Sequence, residues 1–252
     1  MIDFVGAGPG AVDLITVRGK ALIEKADVII YAGSLINDKL LDYSKKECQI
    51  YNSAKMTLEE VIEVMISAEK DGKNTVRLHT GDPSVYGAIR EQMDILDKYN
   101  LEYNVCPGVS SLFGAAAALK AEYTLPGVSQ SVIVTRMEGK TPVPEKEEIS
   151  LLAAHNATMV VFLSAGMLSE LSKRLVKGGY SPDTPAAIVY KATWSDEKVI
   201  KTTVSELAER GEENNISKTA LIIVGDFLGD NYKRSQLYNP CFSHEFRKGV
   251  NP

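Results

Sequence analysis

The stretch Thr75-Val76-Arg77-Leu78-His79-Thr80-Gly81-Asp82-Pro83 constrains the fold more than any other part of the chain. Val76 and Leu78 alternate with Arg77 and His79, the period of a short strand. The pattern breaks at Thr80-Gly81-Asp82-Pro83 and resumes as a helix through Ile89, Met93 and Leu96. Gly81 gives backbone freedom where the chain turns or a ligand approaches. Pro83 suits a first helical position because it has no N–H to leave unpaired. Asp82 is therefore predicted at the carboxyl end of a strand, beside a helix start, the edge where open α/β sheets bind ligands. A helix cap and a ligand contact are both open readings of its carboxylate.

The same plan recurs along the chain. Met1 to Val5 reads as a buried strand that runs into Gly6-Ala7-Gly8-Pro9-Gly10-Ala11, and loops at 80–87, 107–111 and 163–166 also follow apolar runs. Loops of this kind gathered at strand ends suggest a crevice for a small molecule. Residues 6–11 satisfy G-x-G-x-x-G/A, but a dinucleotide site also needs an acid at the end of the second strand. That strand is Asp27 to Tyr31, with its acid at the start, and Pro9 stiffens the loop where a pyrophosphate needs N–H groups.

Composition narrows the classes. The 252 residues, 44% hydrophobic and 24% charged, suit one large or two modest globular domains. A net charge of -5 opposes a nucleic-acid surface. Cys48, Cys106 and Cys241 form no C-x-x-C, and His79, His155 and His244 have no ligand spacing, so neither a disulfide framework nor a protein-bound metal is expected. No leader or membrane-length apolar run is visible, and the expected setting is the reduced cytoplasm.

Helices are predicted over 13–26, 35–43, 112–121, 145–154, 167–177 and 204–213, and a capping box at Thr57 and Glu60 starts another with an apolar stripe at Leu58, Ile62, Met65 and Ile66. Strands are predicted over 49–51, 103–106, 132–135, 158–163, 185–190, 198–203 and 219–224, with the segments around Ile188 and Val199 paired antiparallel. Pro126-Gly127 lies in a boundary region, giving a more parallel first half and a mixed second half. There is no G-x-S-x-G and no Walker A loop. Arg136, Lys140 and Lys191 follow strands and either line a cleft for an anion or are ordinary solvated charges. Trp194 either stacks on a planar ligand or is buried at a hairpin turn.

These residues resemble the tetrapyrrole methyltransferase family, which depends on S-adenosylmethionine. The resemblance covers essentially the whole chain. It is carried by G-x-G-P-G followed by Leu14-Ile15-Thr16, by Thr80-Gly81-Asp82-Pro83, by Pro107-Gly108-Val109-Ser110-Ser111, and by the strand from Thr219 to Gly225. Ala11 stands where many members carry Asp. Tyr31 to Leu35, Thr135 to Pro142, Tyr190 to Trp194 and Phe242 to Arg247 point to a branch acting in corrin synthesis.

The resemblance implies two α/β domains with mixed sheets, 1–122 and 123–252, rather than a true Rossmann dinucleotide fold. It implies a homodimer, a donor cleft between the domains, and a tetrapyrrole substrate. Carried over, the donor pocket comprises Pro9, Gly81, Asp82, Val85, Tyr86, Ser110, Ser111, Leu163, Ala192 and Ala220, with S-adenosylhomocysteine as product. The substrate's carboxylates call for cations, for which Arg18, Arg136, Lys140 and Lys191 are candidates. No side-chain nucleophile is expected, and Glu138 is a candidate proton acceptor. The competing readings are methylation at another ring position, a dinucleotide-binding oxidoreductase resting on Gly6, Gly8 and Ala11, and a non-catalytic corrinoid- or donor-sensing module.

Overall fold

A computed structural model of the chain describes residues 1–250. Two compact units emerge, Met1–Ala115 together with Lys191–Glu197, and Ala116–Tyr190 together with the chain from Lys198 onward.

The first unit holds the strands β1 (Ile2–Gly6), β2 (Val28–Tyr31), β3 (Gln49–Asn52), β4 (Thr75–His79) and β5 (Tyr103–Cys106), and the helices α1 (Val17–Lys25), α2 (Leu58–Lys70) and α3 (Ile89–Lys98). Helix α4 (Ser111–Leu119) begins in this unit. The strand order is β3-β2-β4-β1-β5 and every pairing is parallel. Apolar groups pack on both faces: Val5, Ile23, Ile29, Val76 and Leu78 on one, and Ile2, Phe4, Ile30, Ile62, Met65 and Leu96 on the other. Burial on both faces explains why β1 is predominantly apolar rather than alternating, with Asp3 as its one charged residue. Thr57 and Glu60 form the predicted capping box. The stripe of α2 buries Val61, Ile62, Met65 and Ala68, with Leu58 and Ile66 packed against its margin. Each large aliphatic group so buried contributes roughly 1.5–3 kcal/mol.

The second unit holds β6 (Val132–Arg136), β7 (Thr158–Phe162), β8 (Pro185–Tyr190), β9 (Lys198–Thr203) and β10 (Ala220–Val224), with α5 (Ile149–Ala153), α6 (Leu168–Gly178) and α7 (Leu207–Glu213). The order is β6-β7-β10-β8-β9. Only β6 and β7 run parallel, so this sheet is mixed while the first is parallel throughout. The predicted antiparallel pairing places Ile188 opposite Ile200 and Val189 opposite Val199.

Several expectations need correction or refinement. The predicted helix 13–26 is a 3₁₀ turn, Val12–Leu14, followed by α1, and 145–154 is a 3₁₀ turn, Glu145–Glu147, followed by α5. The segment 35–43 is not one helix but two 3₁₀ turns, Gly33–Leu35 and Asp38–Tyr43, the second capped by Asn37. Pro83 does not start a helix: α3 begins at Ile89, after a loop in which Tyr86 and Ala88 have φ of 56° and 50°. The Asp82 carboxylate accepts the Ser84 N–H at 2.9 Å, a local turn that competes with helical bonding. Trp194 does lie between β8 and β9, yet it packs within the first unit, where a Cβ on Gly10 would come within 2.1 Å of its ring.

Candidate functional site

In the first sheet β1 lies between β4 and β5, so the three loops leaving their carboxyl ends are neighbours. The connection after β1 leads to β2 on one side, and that after β4 leads to β5 on the other. Such a divergence opens a crevice at the strand ends.

Glycine lets these loops touch. Gly8 and Gly81 bridge reciprocally, with N–H to carbonyl distances of 3.2 and 2.9 Å. A Cβ on Gly108 would meet the Gly81 carbonyl at 2.1 Å, and one on Gly6 would lie 2.6 Å from Gly108. Asp82 ties the arrangement together: one carboxylate oxygen accepts the Ser84 N–H and hydroxyl, and the other accepts the Gly108 N–H at 2.8 Å. Burial pushes the Asp82 carboxyl up, but the Ser84 hydroxyl and the Gly108 and Ser84 N–H groups together hold it below the usual carboxylate range. Asp82 is thus a fixed negative charge at the junction of two loops, and it caps a turn rather than a helix.

Ser110 is buried at the start of α4, where its hydroxyl accepts the Leu112 N–H at 3.3 Å, and Ser111 beside it is half-buried. Pro9 is buried against Gly114 of α4, where a Cβ would sit 2.9 Å from the ring. The small side chains of that helix are what admit the first loop. Val85 is half-buried and Tyr86 exposed on the loop after Asp82. The segment Lys191–Glu197 joins the same neighbourhood, with Trp194 Nε1 donating to the Pro9 carbonyl at 3.2 Å and the Ala11 N–H donating to Thr193 Oγ1 at 3.0 Å. Ala192 is buried within that segment.

The first loop has little left for a pyrophosphate. The Ala7 N–H donates to the His79 carbonyl, that of Gly8 to Gly81 and that of Ala11 to Thr193. Asp27, at the opposite strand end, accepts the Asn74 N–H and pairs with Lys45. The acid of a dinucleotide site is not at the end of β2, and three of the loop's N–H groups are already engaged within the protein.

Leu163 and Ala220 belong to the second unit. Leu163 follows β7, is 65% exposed and has φ of 53°, a conformation that side chains with a Cβ adopt at a cost. Ala220 opens β10 and is buried, preceded by Thr219 at φ of 58°. Ser164 was not singled out in the sequence, yet its buried hydroxyl accepts the Met137 N–H and donates to the Phe162 carbonyl, joining the ends of β6 and β7. Thr193 lies within the Tyr190 to Trp194 motif but was given no role of its own from the sequence.

The four cationic candidates part company. Arg18 is exposed on the first turn of α1 and Lys140 is exposed on the loop after β6, beside exposed Glu138. Arg136 spends its guanidinium on its own loop, donating to the carbonyls of Met137, Thr141 and Pro142 at 3.2, 3.2 and 2.7 Å. Lys191 pairs with Asp196 at 2.6 Å and lies 5.4 Å from the Trp194 ring centre. A groove of about 460 Å³ lies elsewhere, against α2 and the starts of β2 and β3. Its lining mixes Lys55, Glu60, Glu63, Asp71 and Lys73 with Val28, Tyr51, Met56, Val64 and Ala68, a more charged wall than the mostly apolar ones of ligand sites. Among the described residues no cluster of His, Cys, Asp and Glu could hold a metal, and no helix is long and apolar enough to cross a membrane.

The family model of tetrapyrrole (corrin/porphyrin) methylases matches residues 1–208, and the chain belongs to that family. Among its relatives is the cobalt-precorrin-4 C(11)-methyltransferase of Methanocaldococcus jannaschii, 57% identical over 248 residues, or 98% of this chain and 96% of the relative. The X-ray structure of a cobalt precorrin-4 methyltransferase of cobalamin biosynthesis superposes with a TM-score of 0.89 at 45% identity, covering 91% of this chain and 96% of the other. The uroporphyrin-III C-methyltransferase of Thermus thermophilus, crystallised with S-adenosyl homocysteine, matches with a TM-score of 0.74 at 25% identity over 90% of this chain and 92% of that one.

Proposed function

We propose that this protein is an S-adenosylmethionine-dependent C-methyltransferase acting at C11 of precorrin-4 or its cobalt form in cobalamin synthesis. The observation that carries the proposal is 57% identity to a cobalt-precorrin-4 C(11)-methyltransferase along nearly the whole of both chains. The local fit supports it. The backbone at Gly108 is too closely packed for a Cβ, Gly81 turns at a φ of 61° that side chains rarely adopt, and Asp82 offers a fixed carboxylate where a sulfonium cation has to be held. Pro9, Gly81, Asp82, Val85, Tyr86, Ser110, Ser111 and Ala192 would hold the donor in the first unit; for Leu163 and Ala220, which belong to the second unit, the support is the family resemblance alone.

When bound, the donor supplies an electrophilic methyl group: a new C–C bond forms from an electron-rich carbon of the macrocycle as the S–CH3 bond breaks and S-adenosylhomocysteine departs. The substrate brings its own nucleophile, so this chain's residues act by positioning and by excluding water. Arg18 and Lys140 present exposed cations to the substrate's carboxylates. Arg136 shapes the loop that carries Lys140 and Glu138, and Lys191 reaches a substrate only by leaving Asp196. Glu138 is the proposed proton acceptor. The same reading takes the working form to be a cytoplasmic homodimer without a protein-bound metal.

The test is incubation with S-adenosylmethionine carrying a ¹³C methyl group and either precorrin-4 or cobalt-precorrin-4. Carbon NMR of the product is expected to show one labelled methyl at C11. Label at another ring carbon would move the assignment within the family, and donor binding without transfer to any tetrapyrrole would favour a sensing role. NAD(P) binding in place of S-adenosylhomocysteine would restore the oxidoreductase reading.

A further inference from the structure

Strand β4 buries a cation that faces no acid. Arg77 is 7% exposed, and among the described residues no carboxylate pairs with it. Burial alone pushes its guanidinium down to about 10, so it stays charged at neutral pH. Its partners are neutral: Nη1 donates to the Ile30 carbonyl at 3.1 Å, and Nε donates to Gln92 Oε1 at 3.1 Å. A desolvated charge without a counter-ion is costly, and a purely structural core would be better served by an apolar side chain.

Gln92 shows what the charge accomplishes. It is 4% exposed on α3, and its Nε2 donates to the Ala88 carbonyl at 3.0 Å. An amide has one acceptor end and one donor end, whereas a guanidinium can only donate. Arg77 therefore forces the oxygen of Gln92 toward itself and the nitrogen toward Ala88. Ala88 precedes α3 in the left-handed region, at φ 50° and ψ 35°, without a side-chain cap. The loop behind it is folded so tightly that a Cβ on Gly87 would sit 2.2 Å from the Pro83 carbonyl, and Tyr86 has φ of 56°. Nothing in this loop's residue types favours these conformations, since neither Tyr nor Ala prefers positive φ. Support from outside the loop helps to hold them, and the Gln92 amide is a buried group that reaches the loop end at Ala88.

We propose that Arg77, acting through Gln92, is a positioning strut that holds the Pro83–Ala88 loop in the shape that presents Val85 and Tyr86 to the methyl donor. The inference rests on the donor reading given above and adds to it a second layer of residues that never touches the ligand.

Two variants separate this role from simple core stabilisation. Gln92→Glu keeps an acceptor for Arg77 and gives it a counter-charge, but loses the donor to the Ala88 carbonyl. Gln92→Leu loses both. In titration calorimetry with S-adenosylhomocysteine, Gln92→Glu is expected to bind about tenfold more weakly while melting no lower than the parent chain. The KM for S-adenosylmethionine should rise in step, with kcat at saturating donor within about twofold. Gln92→Leu should lose both affinity and melting temperature. Adding Ala88→Gly should return most of its affinity, because glycine adopts the left-handed conformation unaided. Binding by Gln92→Glu at the parent's affinity, or affinity that merely follows melting temperature across the set, would overturn the strut. A parent chain that does not bind S-adenosylhomocysteine would instead overturn the donor reading beneath it.

Discussion

His79 and Asp82 lie three positions apart, and at neutral pH the first is uncharged and the second anionic, for different reasons. Burial, with the Arg77 charge adding to it, pushes the His79 imidazole down to about 3, and its Nε2 is buried without a partner. The ring stacks on Phe4 and stays neutral. Because the folded value lies below the ordinary 6.5, the unfolded chain takes up this proton first, and stability present above pH 6.5 is lost as pH falls toward 3. Between pH 7 and pH 5 the loss traceable to this ring is about 2 kcal/mol. Urea unfolding at the two pH values is expected to show a smaller difference for His79→Leu than for the parent by roughly that amount. An identical difference in both chains would contradict the neutral, unpartnered imidazole. For Asp82 the sequence showed a carboxylate after a strand but not its use. The Gly108 N–H that it accepts is 26 residues away, beyond any local pattern.

At the scale of elements, strands were the most legible parts. The apolar run Ala220 to Val224 is buried throughout and leaves an unbroken signal, and β1 is as fully buried although Asp3 interrupts it. The capping box of α2 was readable because both halves of its hydrogen-bonded pair are local. The loop 82–88 was not, since Tyr86 and Ala88 carry no mark of their positive φ. The close approach of three loops was half legible: the glycines were visible, their partners were not. Gly108→Ala would press a methyl group onto the Gly81 carbonyl, against backbone that cannot rotate away. The expected result is a stability loss of about 3 kcal/mol, the upper part of the range for overpacking, with S-adenosylhomocysteine affinity falling as the loops part. Thermal unfolding and calorimetry of Gly108→Ala at the parent's values would show that these loops do not need their present contact.

Across the whole molecule, alternating strands and helices gave the α/β class and the more parallel first half. Membership of Lys191–Glu197 in the first unit was hidden. It depends on Trp194 meeting the Pro9 carbonyl, a contact spanning 185 positions, and on the lack of a side chain at Gly10. That contact and the engaged N–H groups of Ala7, Gly8 and Ala11 weaken the case for a dinucleotide site, since much of the first loop is turned toward the protein itself. This chain thus uses a familiar glycine spacing for packing between loops, and the proposed donor site is centred on Asp82 and the turn at Gly81. Crystals of the full chain grown with S-adenosylhomocysteine test this most directly. The ligand is expected against Gly81 to Tyr86 and Ser110–Ser111; density against the α2 groove, or on the loops without contact to the Gly81-Asp82 turn, would contradict it.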